Sequence, residues 1–346
     1  MAYKDLREFM AELESRGLLK RVKTEVDPEL EITEIVDRIS KGPAEKNVAI
    51  LFENVKGSKM PVLINAFGSY ERMSLAMGVE KLDDIADELR EMLKLPYVSL
   101  QNKMSVVTMI PMIKRAVNFP KYVKSAPCQE VVETENPNLD EIPILKCWPE
   151  DGGPFVTLPL VFTKNPKTGK RNVGMYRLQK YDSRTTGMHW HIHKNGAENY
   201  RDMEAAGGEK IECAVAIGTD PVLTYAATAP LPRDIDEMVF AGFLRHKSVE
   251  MVKCKTVDIE VPLRRKSFWK AMCCPMRAAS RDPSATIRVI TLWQTNTLCS
   301  TSPPSPTGKI PFTLPRWWGV LPWRMHTWPR LRSVSSCLSC SRCCLR

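Results

Sequence analysis

Apolar positions in the first hundred residues switch repeatedly between two spacings. Over residues 3–16, Leu6, Phe9, Met10 and Leu13 recur at helical intervals, and Gly17 follows where a C-terminal cap belongs. Asp27-Pro28-Glu29 predicts a helix start, with an early proline and acids in the first turn. Ile32, Ile35, Val36 and Ile39 supply its apolar face. Residues 49–52 and 62–65 are apolar runs of strand length, and 82–93 is again amphipathic. Strand and helix signals alternating in this way predict an α/β N-terminal domain over residues 1–115.

Between about 96 and 140 the periodicity fades. Pro96, Pro111, Pro120 and Pro127 punctuate a connecting segment. Short strand-like stretches then follow at 142–147, 159–163, 172–179, 188–193, 212–218 and 256–261, with a turn at 165–169 and a helix at 236–244. That pattern predicts a β-barrel-like second domain over 116–262. No internal repeat is present. The fold class expected is therefore α+β.

Charge changes the picture only in one place. The chain carries 50 Lys and Arg against 40 Asp and Glu, a formal net charge of +10. Taken whole, that balance would suggest nucleic acid. But residues 263–346 hold 14 basic residues and one acid, Asp282, leaving 36 basic and 39 acidic residues before them. The body is mildly acidic and gives no reason to expect a nucleic-acid partner. Cysteines divide the same way: four scattered in the body (Cys128, Cys147, Cys213, Cys254) and seven in the tail. Six of the eight tryptophans also lie after residue 262. No run of about 18 apolar residues exists. Residues 1–12 mix charge with apolar positions, unlike a secretory signal. The expectation is a cytoplasmic protein with reduced thiols.

Two stretches carry candidate chemistry. The first is Asn172-Val-Gly-Met-Tyr-Arg-Leu-Gln179, followed by His189-Trp-His-Ile-His-Lys194. Histidines 189, 191 and 193 would share one face of a strand. Imidazole suits intermediate divalent metals, and an amide oxygen or carboxylate suits a harder ion such as manganese. A polar barrel face with solvated histidines fits the same spacing. The second stretch runs Gly218-Thr-Asp-Pro221, Ala226-Ala-Thr-Ala-Pro230-Leu-Pro232, then Glu237. Small residues admit close backbone approach to a ligand. Glu237 alone also reads as an acid stabilised at a helix N-terminus.

Taken in order, residues 139–149, Asp151-Gly-Gly-Pro154, 172–179, 187–201 and 226–242 resemble the UbiD family of decarboxylases, and the resemblance runs from residue 1 to about 262. It implies an N-terminal α/β domain and a split, flavin-reductase-like β-barrel that is truncated in this chain. It implies prenylated FMN as cofactor, with a divalent metal, usually Mn2+, on its phosphate. Asn172, His193 and Glu237 match the metal ligands. Backbone at 226–229, with Glu237, matches a K+ site. Arg177 matches the catalytic arginine that meets the substrate carboxylate, and Asn172, Arg177, Gln179, His193 and Lys194 fall at cofactor-binding positions. The implied activity is non-oxidative loss of CO2 from an aromatic or α,β-unsaturated acid such as a 4-hydroxybenzoate derivative. The implied partners are that acid, a flavin prenyltransferase as cofactor supplier and further copies of the chain in a homo-oligomer. Two other readings stand beside it: a flavin-binding split-barrel protein without lyase activity, and a non-functional fragment. Strict alternation puts Asn172 and Arg177 on opposite faces of one strand, which calls for a bulge near Gly174.

After residue 262 the resemblance stops. The family continues with a Glu-rich segment and E-G-P-F-G-D-H-T-G; here the chain reads Leu263-Arg-Arg-Lys-Ser-Phe-Trp-Lys-Ala-Met-Cys-Cys-Pro275. Residues 282–289 admit the codons GAC CCT TCG GCG ACC ATA CGG GTT. Taken one base earlier, these encode G-P-F-G-D-H-T-G, and Ser280-Arg281 as TCG AGG supplies the preceding Glu. In the present frame Arg281 stands where the acid belongs, and Thr286 where the second acid belongs. A single lost base near codon 262 accounts for the surplus of Arg, Trp, Cys and Ser, so residues 263–346 are expected to be a poorly packed, out-of-frame tail. Cys337, Cys340, Cys343 and Cys344 lack the second spaced pair of a zinc site. Sequencing of the DNA around codon 262 should show the missing base; an uninterrupted reading frame in independent clones would overturn the frameshift.

Overall fold

The computed structural model describes residues 3–99, 118–129, 137–190, 193–208, 210–232, 235–263, 276–278 and 286–291. Helix α1 (Leu6–Ser15) starts at Asp5, whose carboxylate accepts from the N–H groups of Arg7 and Glu8. Leu6, Phe9, Met10 and Leu13 are its buried face, as the spacing predicts, and Gly17 takes a left-handed φ of 69° after its end. Helix α2 (Glu31–Lys41) begins later than the Asp27-Pro28-Glu29 signal suggests. Asp27 Oδ1 accepts from Glu29 N–H at 2.9 Å, which makes a turn before the helix, and Leu30 at φ 68° redirects the chain into it. The helix crosses between β1 (Leu19–Val22) and β2 (Ala49–Phe52), which pair in parallel; β3 (Val62–Ile64) adds to β2 antiparallel. This small βαβ-containing layer, with α3 (Tyr70–Met77) and α4 (Leu82–Ser99), is the α/β unit that the alternating signals predict. Helix α4 continues through Pro96, which the sequence reading places in a connector. A proline removes one hydrogen bond from a helix, and here that loss does not end it. The expected boundary at 115/116 lies outside the described residues.

The second half is built from three open sheets. One has the order β10 (Cys213–Ala216), β6 (Leu160–Lys164), β7 (Arg171–Met175). Another has β5 (Phe155–Val156), β8 (Leu178–Lys180) and β9 (Thr185–Trp190). The third joins β12 (Glu260–Pro262), β11 (Glu250–Lys253) and β4 (Lys121–Val123). Among the described residues no barrel closes. The stretch 172–179 is not one strand: the chain leaves the first sheet after Met175 and enters the second at Leu178. The bulge expected at Gly174 is absent, because Gly174 pairs in regular register with Val161. The change of sheet at Tyr176 and Arg177 is what reorients the chain between Asn172 and Arg177. Residues 142–147 form only isolated bridges, one of them Glu29↔Lys146 back to the first layer.

Strands β13 (Met276–Ala278) and β14 (Thr286–Thr291) extend the second sheet, with β14 antiparallel to β9 from Thr286↔Trp190 to Thr291↔Thr185. The tail expected to pack poorly thus contributes two paired strands among its described residues. The remainder of 264–346 lies outside the described residues.

The largest core cluster joins both halves, from Leu6 and Leu51 through Phe162, Val173 and Tyr225 to Val261. A charged clasp runs beside it. Helix α5 (Asn195–Ala205) covers β7, while α6 (Pro221–Ala226) and α7 (Glu237–Arg245) pack against each other. Asp220 caps α6 by accepting from Val222 N–H at 2.8 Å and Leu223 N–H at 3.3 Å. Its second oxygen pairs with Arg245 at the end of α7, both side chains being 1% exposed. Arg245 Nη2 also donates to the Tyr3 carbonyl at 3.3 Å. Removing one partner of such a buried pair strands the other charge. Arg245→Met is expected to lower unfolding free energy by about 3–5 kcal/mol in urea titrations, while Arg38→Met, at an exposed helix pair, shifts it by under about 1 kcal/mol. Equal losses for the two would overturn the clasp's importance.

Candidate functional site

Strand β7 and the first turn of α7 meet at the centre of the second half. Asn172 is buried on β7, opposite Thr163 of β6. Its neighbour Val173 donates its N–H to Glu237 Oε2 at 2.9 Å. Glu237 is the first residue of α7, capped by Asp236, which accepts from Met238 N–H at 2.8 Å. A second tie lies two residues back on the strand and one back on the helix: Arg171 forms an ion pair with Asp236. Strand and helix are thus lashed together at adjacent positions, which fixes Glu237 beside Asn172.

Glu237 is 5% exposed. Burial pushes its carboxyl up to about 8, against the Val173 N–H, its own N–H and the Arg171 charge, which all favour the ionised form. Asn172 Nδ2 is buried without a hydrogen-bond partner, as is Trp190 Nε1. Tyr176 folds back over Gly174, where a Cβ would lie 2.2 Å from the ring. Its hydroxyl accepts from Gly196 N–H at 3.2 Å, in the first turn of α5. Lys194 occupies the N-cap of that helix and makes no side-chain cap hydrogen bond.

These elements enclose a cavity of about 490 Å³, within the range of small-molecule sites. Asn172, Arg177, His193, Lys194 and Glu237 all line it, with His189, Tyr176 and the backbone run 227–231. Five of the six predicted site residues therefore come together. Gln179 does not line the cavity. It sits on β8 with its amide against Gly152, where a Cβ would come within 2.9 Å of Nε2. The strand expected to present three histidines ends at Trp190, so His189 is on β9 and His193 in the turn beyond it; His191 lies outside the described residues. His193, Lys194 and Arg177 are exposed, in contrast to Asn172 and Glu237. Among the described residues no three His, Cys, Asp or Glu side chains gather as a metal-holding group, so any divalent site here depends on the Asn172 amide. Arg171, Asp236 and Tyr176 escaped the sequence reading. The first two are chain neighbours of Asn172 and Glu237, which is the only signal that would have found them.

The family model for the 3-octaprenyl-4-hydroxybenzoate carboxy-lyase Rift-related domain, UbiD, matches residues 121–266, and the model for the N-terminal domain of the same carboxy-lyase matches 10–90. The chain belongs to the UbiD family. An uncharacterized protein of Archaeoglobus fulgidus is 51% identical over 263 residues, and one of Aquifex aeolicus 44% identical over 263. These alignments cover 76% and 75% of this chain and 53% of each relative, so the chain matches about half the length of those proteins. Among solved structures, Sedimentibacter hydroxybenzoicus vanillic acid decarboxylase in closed form superposes with a TM-score of 0.75 at 25% identity, covering 95% of this chain and 67% of that one. The UbiD-class enzyme HmfF from Pelotomaculum thermopropionicum, in complex with FMN, gives 0.71 at 25% identity, covering 96% and 67%. An evolved dimeric form of HmfF with prenylated FMN has the same fold, with a TM-score of 0.72 at 24% identity, covering 96% of this chain and 71% of that one. The UbiD model match ends at 266, close to the break that the sequence reading places near 262.

Glu237 has a pH consequence. Its folded pKa of about 8 lies above the ordinary 4.5, so the folded chain holds a proton that the unfolded chain releases. The associated stability is complete below about pH 4.5 and is lost as pH rises through about 8. The ligand-free protein should therefore melt lower at pH 8.5 than at pH 6, and Glu237→Gln, which keeps an acceptor for Val173, should flatten that slope. An unchanged slope in the variant would show that Glu237 is ionised in the folded chain.

Proposed function

We propose that this chain carries the cofactor- and metal-binding core of a non-oxidative carboxy-lyase acting on an aromatic or α,β-unsaturated carboxylic acid, such as a 4-hydroxybenzoate derivative. The observation that carries the reading is a buried amide, Asn172, whose Nδ2 meets only the Tyr176 side chain and makes no hydrogen bond of good geometry, beside a buried carboxyl group, Glu237, in one cavity. Turning the Asn172 amide about its terminal bond exchanges nitrogen for oxygen. An amide oxygen next to a carboxylate is a hard donor pair that suits Mn2+. The residues present therefore fit the metal: Asn172 and Glu237 would hold it from inside, and His193 from the mouth. Prenylated FMN, which the HmfF structure contains, would supply the electron sink for the pair left behind when CO2 departs.

The chain's own groups do the rest. The Arg177 fork binds and orients the substrate carboxylate at the cavity mouth. Lys194, exposed at the N-cap of α5, presents a positive charge to the cofactor phosphate. The backbone of 226–229, with Glu237, offers oxygens to K+. Gln179, assigned to the cofactor by resemblance, would reach it from β8, where its amide also packs against Gly152. The same reading makes a flavin prenyltransferase the cofactor's supplier, and it makes the intact protein a cytoplasmic homo-oligomer. Among the described residues no helix is long and apolar enough to cross a membrane. We further propose that residues 263–346 are out of frame, which deprives the site of the acid that returns a proton to carbon.

Two experiments test this. Mn2+ titration of the 346-residue chain, followed by electron paramagnetic resonance, should show one site that weakens by about tenfold or more in Asn172→Ala and in Glu237→Gln; undiminished binding in both variants would sink the metal assignment. For the tail, one base inserted at codon 262 should restore turnover of an unsaturated or aromatic acid in cells that supply prenylated FMN. A general acid commonly contributes about 10²–10⁴-fold, so the unrepaired chain should be slower by at least that factor. Equal rates would refute the out-of-frame account.

A further inference from the structure

Arg177 forms no ion pair among the described residues, although it is exposed at the mouth of a cavity that also holds Glu237. Its guanidinium carbon instead stands 5.1 Å from the centre of the Phe155 ring. That contact follows from strand register. Phe155 of β5 lies directly opposite Gln179 of β8, and Arg177 immediately precedes β8, at the position diagonal to Phe155. Diagonal neighbours across a strand pair are about 7–8 Å apart at the backbone, within reach of long side chains.

The backbone that carries the ring is held from both sides. Phe155 N–H donates to the Leu145 carbonyl at 2.9 Å, and Lys180 N–H donates to the Pro154 carbonyl at 2.8 Å. The loop before it is closed by Trp148 N–H to Asp151 Oδ2 at 3.0 Å and Asp151 N–H to the Trp148 carbonyl at 3.1 Å. Gly153 takes a φ of 154°, open to glycine, and the Gln179 amide packs against Gly152. The segment Asp151-Gly-Gly-Pro154 is thus a rigid bracket that delivers one aromatic face to Arg177.

We propose that Phe155 is a positioning residue for the carboxylate-binding arginine: its ring carries the flat face of the Arg177 guanidinium and leaves the N–H fork free for a substrate carboxylate. The proposal rests on the reading of Arg177 given above. A guanidinium stacked on an aromatic face keeps its donors in the plane, where a carboxylate meets them bidentately. Without the ring, an exposed arginine samples many rotamers and must be ordered anew at each binding event.

The test uses the 346-residue chain labelled with nitrogen-15 and benzoate as probe. The Arg177 Nε–H resonance, identified by its loss in Arg177→Met, should be shifted upfield by the ring in the wild type and in Phe155→Tyr, and should return to the ordinary arginine position in Phe155→Leu. The benzoate dissociation constant should rise about two- to fivefold in Phe155→Leu, the range for an exposed cation–π contact, and stay within twofold in Phe155→Tyr. A wild-type Arg177 resonance at the ordinary position would overturn the proposal without any variant, so a Phe155→Leu chain that fails to fold leaves it testable. Unchanged benzoate affinity in a folded Phe155→Leu would overturn it as well. If Arg177→Met binds benzoate as well as the wild type, the carboxylate assignment itself fails; if Arg177→Met loses binding while Phe155→Leu keeps it, only the role of Phe155 fails.

Discussion

The Asp220–Arg245 pair is the constraint on which the arrangement of the second half rests. Both side chains are withdrawn from water, a costly placement offset only when geometry and further hydrogen bonds are good. Asp220 meets that condition by capping α6, and Arg245 does so by reaching the Tyr3 carbonyl as well. Three separate parts of the chain are fixed by two residues: the turn after β10, the end of α7 and the segment before α1. The far ends of the two helices then have little freedom. The run 227–231 follows α6, and Glu237 opens α7, so both borders of the cavity inherit their positions from a clasp remote from it.

The lashing of β7 to α7 explains how a carboxyl group remains buried at the site. Arg171 and Asp236 form the outer tie, and the Val173 N–H holds Glu237 within. Two backbone donors and a nearby cation do not repay the burial of a carboxylate, so the group is displaced toward its neutral form. A cation placed next to Asn172 would draw the group back to its ionised form and release that proton. Preorganisation here comes from strand and helix, not from loops, which agrees with the tighter geometry that such elements give to binding groups.

How much of this was legible in the residues depends on the kind of signal. Buried helical faces such as Leu6, Phe9, Met10 and Leu13 are readable because helix period and burial coincide. The motif order likewise located Asn172, Arg177, His193, Lys194 and Glu237, all of which line one cavity. The sheet change at Tyr176 was not legible: residues 172–179 alternate well enough to pass for one strand, and what breaks them is the fold-back of Tyr176 over Gly174, a tertiary contact. Gln179 falls outside that cavity for the same reason, since after the break it belongs to a different sheet. Leu30 at φ 68° is another case, because nothing local favours a left-handed leucine. Arg171 and Asp236 carry no chemistry of their own and matter only through what their neighbours do.

The tail shows where backbone and side-chain information part company. Backbone hydrogen bonds along a strand edge accept any extended segment that lacks proline and favours β structure. Residues 286–291, Thr-Ile-Arg-Val-Ile-Thr, meet that requirement whatever reading frame produced them, and they pair with β9 over its full length. The register sets Ile287 opposite His189 and Thr286 opposite Trp190, at the end of β9 that borders the cavity. An edge strand can thus be covered by a segment of any origin that meets the backbone's demands. On the out-of-frame reading proposed above, strand pairing would restore the sheet's hydrogen bonds without restoring the proton donor. Fold and chemistry would then be specified by different properties of the same six residues, the first kept and the second lost on a shift of frame.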